Sequence, residues 1–248
     1  MKRFLLENLI SWKDKSNRLP LIIKGARQVG KTYLVHQFGT SHFENLHAFN
    51  FEMTPNLKEI FSGSLEANYI INQLELRINK KITSRDLIFF DEIQDCPQAL
   101  TALKYFAEQL PQQPIISAGS LLGITLPESS YPVGKVEYLW MGPFSFEEFL
   151  LGINDSKGIN ILGEAETKLE MSLSSHEHLW CQLKQYYVTG GLPKPIKALS
   201  TDINNLPEAF TQVREVQNSL LRDYISDFSK YIQRQNAAHI RAIFENIV

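Results

Sequence analysis

The sequence predicts an α/β fold whose sheet is mostly parallel, followed by a smaller and mainly helical region. Short apolar runs suited to strands alternate with segments of helical periodicity as far as residue 140. The run Leu-Ile-Phe-Phe at residues 87–90 is unbroken, which is typical of a strand buried on both faces of a parallel sheet. After residue 142 the strand-like runs cease. We therefore predict one domain over residues 1–141 and a second over residues 142–248.

Each element follows from its own periodicity and from the turn residues that bound it. An amphipathic helix at the N-terminus is expected to cover the first domain. Residues 152–164 are rich in Gly, Asn, Asp and Ser, and we expect them to form an exposed connection. The predicted strands are residues 21–23, 46–51, 87–90, 115–118 and 136–140, and the predicted helices are residues 2–14, 33–38, 56–61, 65–81, 100–110, 144–151, 178–187 and 206–228.

Composition and charge narrow the range of functions. A formal net charge of −2 over 248 residues gives no overall attraction to nucleic acid, so binding of that kind would need a local basic patch. Cys96 and Cys181 match neither a redox nor a zinc spacing, and we interpret both as reduced packing residues of a cytoplasmic protein. No segment has the length and apolarity that predict a membrane-spanning helix.

Residues 25–32, Gly-Ala-Arg-Gln-Val-Gly-Lys-Thr, fit the pattern G-x-x-x-x-G-K-[ST] between a predicted strand and a predicted helix. In a phosphate-binding loop the glycines let the backbone curl so that its N–H groups surround the phosphates of a nucleotide. Lys31 would reach the β- and γ-phosphates, and the Thr32 hydroxyl would ligate Mg²⁺. A plain glycine turn is the alternative. The predicted nucleotide-binding residues are Gly25, Ala26, Arg27, Gln28, Val29, Gly30, Lys31 and Thr32.

Two acidic residues, Asp91 and Glu92, directly follow the apolar run at residues 87–90. This is the Walker B arrangement, because ligands of α/β sheets bind at the carboxyl ends of the strands. Asp91 would hold Mg²⁺ together with Thr32, and Glu92 would polarise the water that attacks the γ-phosphate. An acidic turn after a strand is the alternative, which the upstream phosphate loop makes less favourable.

Two serines, Ser117 and Ser120, end the next predicted strand, which lies beside the nucleotide in sheets of this type. We choose Ser120 as a residue whose hydroxyl contacts the γ-phosphate or its attacking water. A turn serine beside Gly119 is an equally weighted interpretation. The predicted catalytic residues are therefore Glu92, Lys31 and Ser120.

Several motifs together resemble the AAA-superfamily P-loop ATPases of bacteria and archaea that carry a C-terminal domain of unknown function, and that are related to archaeal and signal-transducing ATPases. The resemblance implies a P-loop NTPase core of the AAA type, ATP and Mg²⁺ as cofactors, a helical lid and a winged-helix-like region. Full-length relatives have a further C-terminal region suspected of nucleic-acid or nuclease activity, and we expect this chain to be truncated before it. The motifs are residues 25–32, 87–94 with Pro97, 117–120, 132–135, 144–149 and 190–193.

The segment Gly-Gly-Leu-Pro at residues 190–193 resembles a lid motif that lies near the nucleotide in signal-transducing ATPases. A pair of glycines that ends a helix before a proline is the alternative. An arginine finger is harder to assign, because the usual positions offer only Lys104 and Lys135. Arg222 on a late helix is a candidate for action on a neighbouring subunit, so the oligomeric state stays open. We assign His176 and His178 to a solvated surface.

These residues predict Mg²⁺-dependent nucleotide hydrolysis, and the resemblance implies that the nucleotide is ATP. We expect hydrolysis to drive a conformational change on an attached domain or partner, in DNA transactions or defence. A slowly hydrolysing, nucleotide-gated binding module for a protein or DNA partner is the alternative. A small-molecule P-loop kinase is a third hypothesis. A GTPase is disfavoured because the sequence lacks an Asn-Lys-x-Asp guanine motif.

Overall fold

A computed structural model of the chain describes residues 1–120, 134–168 and 170–231. The chain forms two compact units, one of residues Arg3–Gly142 and one of Pro143–Val248 together with Met1–Lys2. The division into two domains at residues 141 and 142 stays a prediction. Of the motif at residues 132–135, Pro132 and Val133 lie outside the described residues.

The first unit contains a five-stranded sheet in which every pairing is parallel, as the sequence predicts. The strands are β1 (Leu21–Lys24), β2 (Leu46–Asn50), β3 (Leu87–Asp91), β4 (Ile115–Gly119) and β5 (Glu137–Trp140). Their order is β2-β3-β4-β1-β5, so β4 lies between β1 and β3. The carboxyl ends of these three strands consequently meet at one edge of the sheet.

Helices cover the sheet of the first unit. The helix predicted at residues 56–61 is a 3₁₀ helix over Pro55–Phe61. A shorter 3₁₀ helix over Ile93–Asp95 follows β3. Pro97 begins the helix over Pro97–Gln109, where its missing N–H costs no hydrogen bond. The helices are α1 (Leu5–Lys13), α2 (Lys31–His42), α3 (Ala67–Ile78) and α4 (Pro97–Gln109).

An aromatic core holds β3 in place. Phe90 is fully buried, and its ring lies 5.7 Å from Phe61 and 5.9 Å from Phe51, centroid to centroid. All five residues of β3 are buried, which fits the unbroken apolar run of the sequence. Because close-packed interiors resist deformation, the residues that follow Phe90 leave the sheet from a rigid base.

The second unit is helical: every element described after Trp140 is a helix. A cluster that includes Phe149, Leu150 and Ile196, all fully buried, forms its core. The winged-helix-like region stays a prediction. The helices are α5 (Phe146–Gly152), α6 (Ser156–Lys168), α7 (Leu173–Thr189), α8 (Pro193–Thr201) and α9 (Leu206–Tyr231). Across the described ranges of both units, each helix is too short or too polar to cross a lipid bilayer.

The expectation of an exposed connection over residues 152–164 was wrong, because α6 occupies most of that range. Asp155 explains the helix: its Oδ1 accepts a hydrogen bond from the Gly158 amide at 3.0 Å, and its Oδ2 lies 2.8 Å from His178 Nε2. Ile159 and Leu162 pack against the apolar cluster of the second unit. His178 is therefore half-buried and paired rather than simply solvated.

Sequence reasoning also missed α8. Gly190 ends α7 with φ 74°, a left-handed value that favours glycine, and Pro193 begins α8. A Cβ atom at Gly191 would lie 2.7 Å from the Phe144 carbonyl oxygen. Local geometry thus accounts for the glycines and the proline of this segment, and a place near the nucleotide stays a prediction. Cys181 is exposed, so its assignment as a packing residue was wrong.

Candidate active site

The loop between β1 and α2 has a tightly curled backbone. Gln28 and Gly30 have positive φ values of 65° and 100°, and α2 begins immediately afterwards at Lys31. Left-handed residues in such a turn bring successive N–H groups to the inner side of the curve, where an anion can bind. The amino end of α2 adds its partial positive charge at the same place. This curled backbone is compatible with the phosphate ligand that the sequence predicts.

Close packing against Met141 requires a glycine at residue 25, in addition to the curl of the loop that the sequence motif implies. A Cβ atom at this position would lie 2.1 Å from the main-chain oxygen of Met141. The Met141 amide in turn donates to the Lys24 carbonyl at 2.8 Å, in continuation of the pairing between β1 and β5. Any side chain at Gly25 would therefore force these two strand ends apart.

Lys31 lies across the mouth of the loop and is only 6% exposed. Its Nζ donates hydrogen bonds to the carbonyl oxygens of Gly25 at 2.9 Å and Ala26 at 2.8 Å. Burial lowers the pKa of Lys31, and the charges of Glu92 and Asp91 act in the opposite direction. The loop thus places a partly desolvated ammonium group where phosphate oxygens would enter.

Asp91 is the last residue of β3, and its carboxylate accepts hydrogen bonds from neutral donors. Thr32 Oγ1 donates to Asp91 Oδ2 at 3.0 Å, Asn50 Nδ2 donates to the same oxygen at 3.2 Å, and the Glu92 amide donates to Oδ1 at 3.1 Å. The structure therefore brings together the two residues predicted to hold a metal. Sequence reasoning missed Asn50, although its place at the end of a strand neighbouring β3 was a usable signal.

These groups fit a magnesium ion. Asp91 is 5% exposed, and the donors that contact it in the described structure are all neutral. A buried carboxylate of this kind, with a threonine hydroxyl against it and a second carboxylate on the next residue, offers the hard oxygen ligands that Mg²⁺ prefers. Thr32 and Asp91 are the residues that would hold it.

Glu92 has an unusual backbone, with φ 50° and ψ 47°. A left-handed glutamate persists only where its surroundings hold it, and such residues cluster at functional sites. Burial raises the pKa of Glu92 and the neighbouring Asp91 adds to this effect, whereas a hydrogen bond from Gln94 opposes it. A carboxylate with a raised pKa is better suited to accept a proton than an ordinary surface glutamate.

Ser120 lies beside the phosphate loop, because Arg27 Nε donates a hydrogen bond to Ser120 Oγ at 3.3 Å. The alternative serine, Ser117, is fully buried within β4. The structure thus joins Ser120, and not Ser117, to the predicted site. The loop motif assigns no role to the side chain of Arg27, which here links two of the strand ends.

The cations considered for an arginine finger are Arg222, Lys104 and Lys135. Arg222 is exposed on α9. Lys135 forms an ion pair with Glu108 at 3.0 Å, and the Lys104 Nζ lies 5.8 Å from the centre of the Tyr105 ring. An arginine finger at Arg222 stays a hypothesis.

A known protein family matches the part of the chain that carries the candidate site. A family model described as an AAA domain matches residues 17–150, a span that includes the five strands, the phosphate loop, Asp91, Glu92 and Ser120. No curated protein matches the chain.

Several solved structures share the fold. The Walker-type ATPase PABY2304 of Pyrococcus abyssi has a TM-score of 0.57 at 15% identity, with 92% of this chain and 75% of that chain covered. The RuvB Holliday junction branch migration motor of Thermotoga maritima has a TM-score of 0.50 at 12% identity, with 86% and 69% covered. A single-substitution variant of RuvB from the same organism has a TM-score of 0.51 at 13% identity, with 85% and 67% covered. At such identities the likeness concerns the fold alone.

Proposed function

The chain belongs to the AAA superfamily of P-loop ATPases, and from this premise we propose that it binds ATP with Mg²⁺ and hydrolyses it. The observation that carries the proposal is the contact between Thr32 Oγ1 and Asp91 Oδ2 at 3.0 Å, with Glu92 as the next residue. This contact joins the phosphate loop to the end of β3. The groups that we propose for ATP binding and for hydrolysis therefore lie close together.

Binding begins with the loop. The N–H groups of residues 25–32 and the ammonium group of Lys31 attract the negative charge of the phosphates. Lys31 would exchange its bonds to the carbonyls of Gly25 and Ala26 for bonds to phosphate oxygens. Because the group is nearly buried, this exchange occurs where charge interactions are stronger than in bulk water.

Thr32 and Asp91 would hold Mg²⁺, which supplies positive charge beside the phosphoryl group that is transferred. Asn50 keeps the Asp91 carboxylate oriented through its bond to Oδ2. These contacts fix the acceptor oxygens before the nucleotide arrives, and preorganisation of this kind reduces the reorganisation needed during reaction.

Glu92 would accept the proton of the attacking water, and its raised pKa favours that role. Ser120 accepts a hydrogen bond from Arg27, which leaves its own hydroxyl hydrogen to donate to a phosphate oxygen. The same bond ties Arg27, a residue of the phosphate loop, to the end of β4. Hydrolysis would then drive a conformational change on an attached domain or a partner, which we propose to be a protein or DNA.

The test is phosphate release from Mg²⁺-ATP by the intact protein and by Glu92→Gln, each with and without duplex DNA. We expect the variant to lose on the order of 10² to 10⁴ in turnover while it still binds a fluorescent ATP analogue. Glu59→Gln makes the same change at an exposed position of the same unit and serves as the control. Stimulation by DNA would identify the partner class.

Other outcomes would contradict the proposal. Tight ATP binding with negligible turnover in both proteins would favour the nucleotide-gated binding module. Turnover that persists in Glu92→Gln, together with phosphate transfer to a small acceptor, would favour the kinase. Each result separates one of the hypotheses from the others.

A further inference from the structure

Gln94 is a buried polar residue that the reaction described above does not use. It lies in the 3₁₀ turn over Ile93–Asp95 and is 6% exposed. Its Nε2 donates a hydrogen bond to Glu92 Oε2 at 2.6 Å. Its Oε1 is buried and has no hydrogen-bond partner among the described residues.

The unpartnered amide oxygen makes Gln94 a costly choice for a merely structural position. A buried polar atom without a hydrogen bond destabilises the folded state, because it loses its contact with water and gains nothing in return. A methionine has nearly the same length and shape and would avoid this loss. We conclude that the hydrogen bond donated by Nε2 is the reason for a glutamine at this position. The unpartnered Oε1 is present because it belongs to the same amide group.

The turn fixes where that donor lies. Ile93 is fully buried, and the amides of Asp95 and Cys96 donate to the carbonyls of Glu92 and Ile93, each at 3.0 Å. The backbone of Gln94 is therefore held by packing on one side and by hydrogen bonds on the other. Because the side chain of Gln94 is buried as well, its Nε2 is held beside the Glu92 carboxylate.

Glu92 needs such a partner. Its left-handed backbone directs the side chain, but a glutamate still has three side-chain torsions to fix. Within the described part of the chain, Gln94 supplies the side-chain hydrogen bond to this carboxylate, and it engages Oε2. None of the described side chains donates a hydrogen bond to the other oxygen, Oε1.

From these contacts we propose that Gln94 is a positioning residue, which holds one carboxylate oxygen of Glu92 so that the other is aimed at the attacking water. The inference rests on the proposed ATPase function and deepens it. Hydrolysis needs the base within hydrogen-bond reach of the water, and a carboxylate that rotates freely spends less time in that geometry.

The first test compares Gln94→Met with Gln98→Met, a matched control at an exposed position on the first turn of α4. We expect Gln94→Met to lower kcat about tenfold and to change the KM for ATP by less than about twofold. In the Glu92→Gln background the same change should have no further effect on kcat, because the group that it positions is already gone. Gln98→Met should leave both parameters unchanged.

The second test does not depend on turnover. The nucleotide-free Gln94→Met protein should melt at the same temperature as the parent or higher, since the orphaned amide oxygen is removed. Its crystal structure should show the Glu92 side chain in a new or a divided rotamer, whereas Gln98→Met should keep the original one.

The outcomes separate the two proposals. A lower melting temperature with an unchanged Glu92 rotamer would make Gln94 a structural residue and overturn the inference. An unchanged kcat in an active enzyme would also overturn it. If the parent protein releases no phosphate, the proposed function fails, and the Glu92 rotamer in Gln94→Met alone decides whether Gln94 positions that carboxylate.

Discussion

Asp86 directly precedes β3 and Glu92 follows its last residue, and the surroundings of these two carboxylates differ: Asp86 is buried, whereas Glu92 is partly exposed. At the amino end, Asp86 is 1% exposed and accepts hydrogen bonds from Asn45 Nδ2 at 2.6 Å, the Thr83 amide at 2.8 Å and Thr83 Oγ1 at 3.0 Å. At the carboxyl end, Glu92 has a left-handed backbone and, among the described residues, a single side-chain donor, Gln94, which itself is only half satisfied.

The pKa shifts separate the two ends in the same way. Burial favours the neutral form of Asp86, yet the hydrogen bonds from Asn45 and Thr83 outweigh it, and the pKa of Asp86 lies below its ordinary value. Burial dominates at Glu92, and its pKa is raised. The surroundings of Asp86 thus favour its charged form, and the raised pKa of Glu92 suits the proton acceptor that we propose it to be. Substitutions at the two ends should consequently affect different properties.

The largest effect is expected at the carboxyl edge, from Lys31→Ala. Removal of the ammonium group should weaken ATP binding by roughly 100-fold or more, because a charge-assisted contact to phosphate is lost in a nearly buried place. The melting temperature should change little. Titration with a fluorescent nucleotide and thermal melting test this, with the exposed Lys58→Ala as the control. Unaltered affinity in Lys31→Ala would remove the phosphate loop from the proposal.

Asp86→Ala should lower the stability of the fold and leave nucleotide affinity unchanged, which is the reverse of the effect expected for Lys31→Ala. It leaves several donors without their acceptor, and we expect the free energy of unfolding to fall by about 2 to 4 kcal/mol. Nucleotide affinity should stay unchanged, because Asp86 lies at the far end of the sheet from the phosphate loop. Urea unfolding and nucleotide titration measure the two quantities. A variant of unchanged stability but weaker nucleotide binding would break the contrast between the two ends.

The pH dependence of stability sharpens the same contrast. Since the folded pKa of Asp86 is lowered, its contribution is fully present above the unfolded pKa of about 3.9 and is lost as the pH falls through the lower folded pKa. The stability difference between the parent protein and Asp86→Ala should therefore be constant near neutral pH and shrink below about pH 4. Unfolding in urea over a series of pH values measures it. A difference that grows towards acid pH would contradict the assignment.

Ser120→Ala should have a smaller effect, a fall in turnover of about tenfold, equivalent to about 1.4 kcal/mol. Its hydroxyl lies beside the phosphate loop through Arg27, and one neutral hydrogen bond is lost. Ser117→Ala is the matched control, because that hydroxyl is fully buried in β4 and has no hydrogen-bond partner within the described ranges. Equal turnover in both variants would exclude Ser120 from the reaction.

The smallest effect is expected at the exposed ion pair of Arg85 and Glu44, which lies at the amino edge with an N–O distance of 2.8 Å. Both side chains are at least half exposed, so water screens their attraction. Glu44→Gln should change the free energy of unfolding by less than about 0.5 kcal/mol. A larger loss in urea unfolding would show that the amino edge depends on this surface pair as well as on Asp86.

The sequence contained enough information to predict the strands and the two ends of the site. Apolar runs and the phosphate-loop pattern are local signals, and the parallel sheet brings the ends of successive strands together. The contact between Thr32 and Asp91 was predictable for that reason.

The remaining features depend on contacts between distant residues. The start of α6 requires Asp155, which is stabilised by His178 on another helix, and no pattern within residues 152–164 reveals that partner. Arg27 could be paired with Ser120 only once β4 was known to lie next to β1. Gln94 stood within a quoted motif, but only burial and an unpartnered oxygen distinguish it from a surface glutamine.

The position of β1 between β4 and β5 affects the order in which the sheet can form during synthesis. Its two neighbours are β4, where Leu21 pairs with Ile116, and β5, where Leu21 pairs with Glu137. During synthesis the strand that carries the phosphate loop emerges early and must wait for both partners, and such long-range parallel pairing is intrinsically slow. Because Gly25 of the phosphate loop packs against Met141, which follows β5, the ATP binding that we propose would stabilise nascent chains chiefly after β5 has left the ribosome.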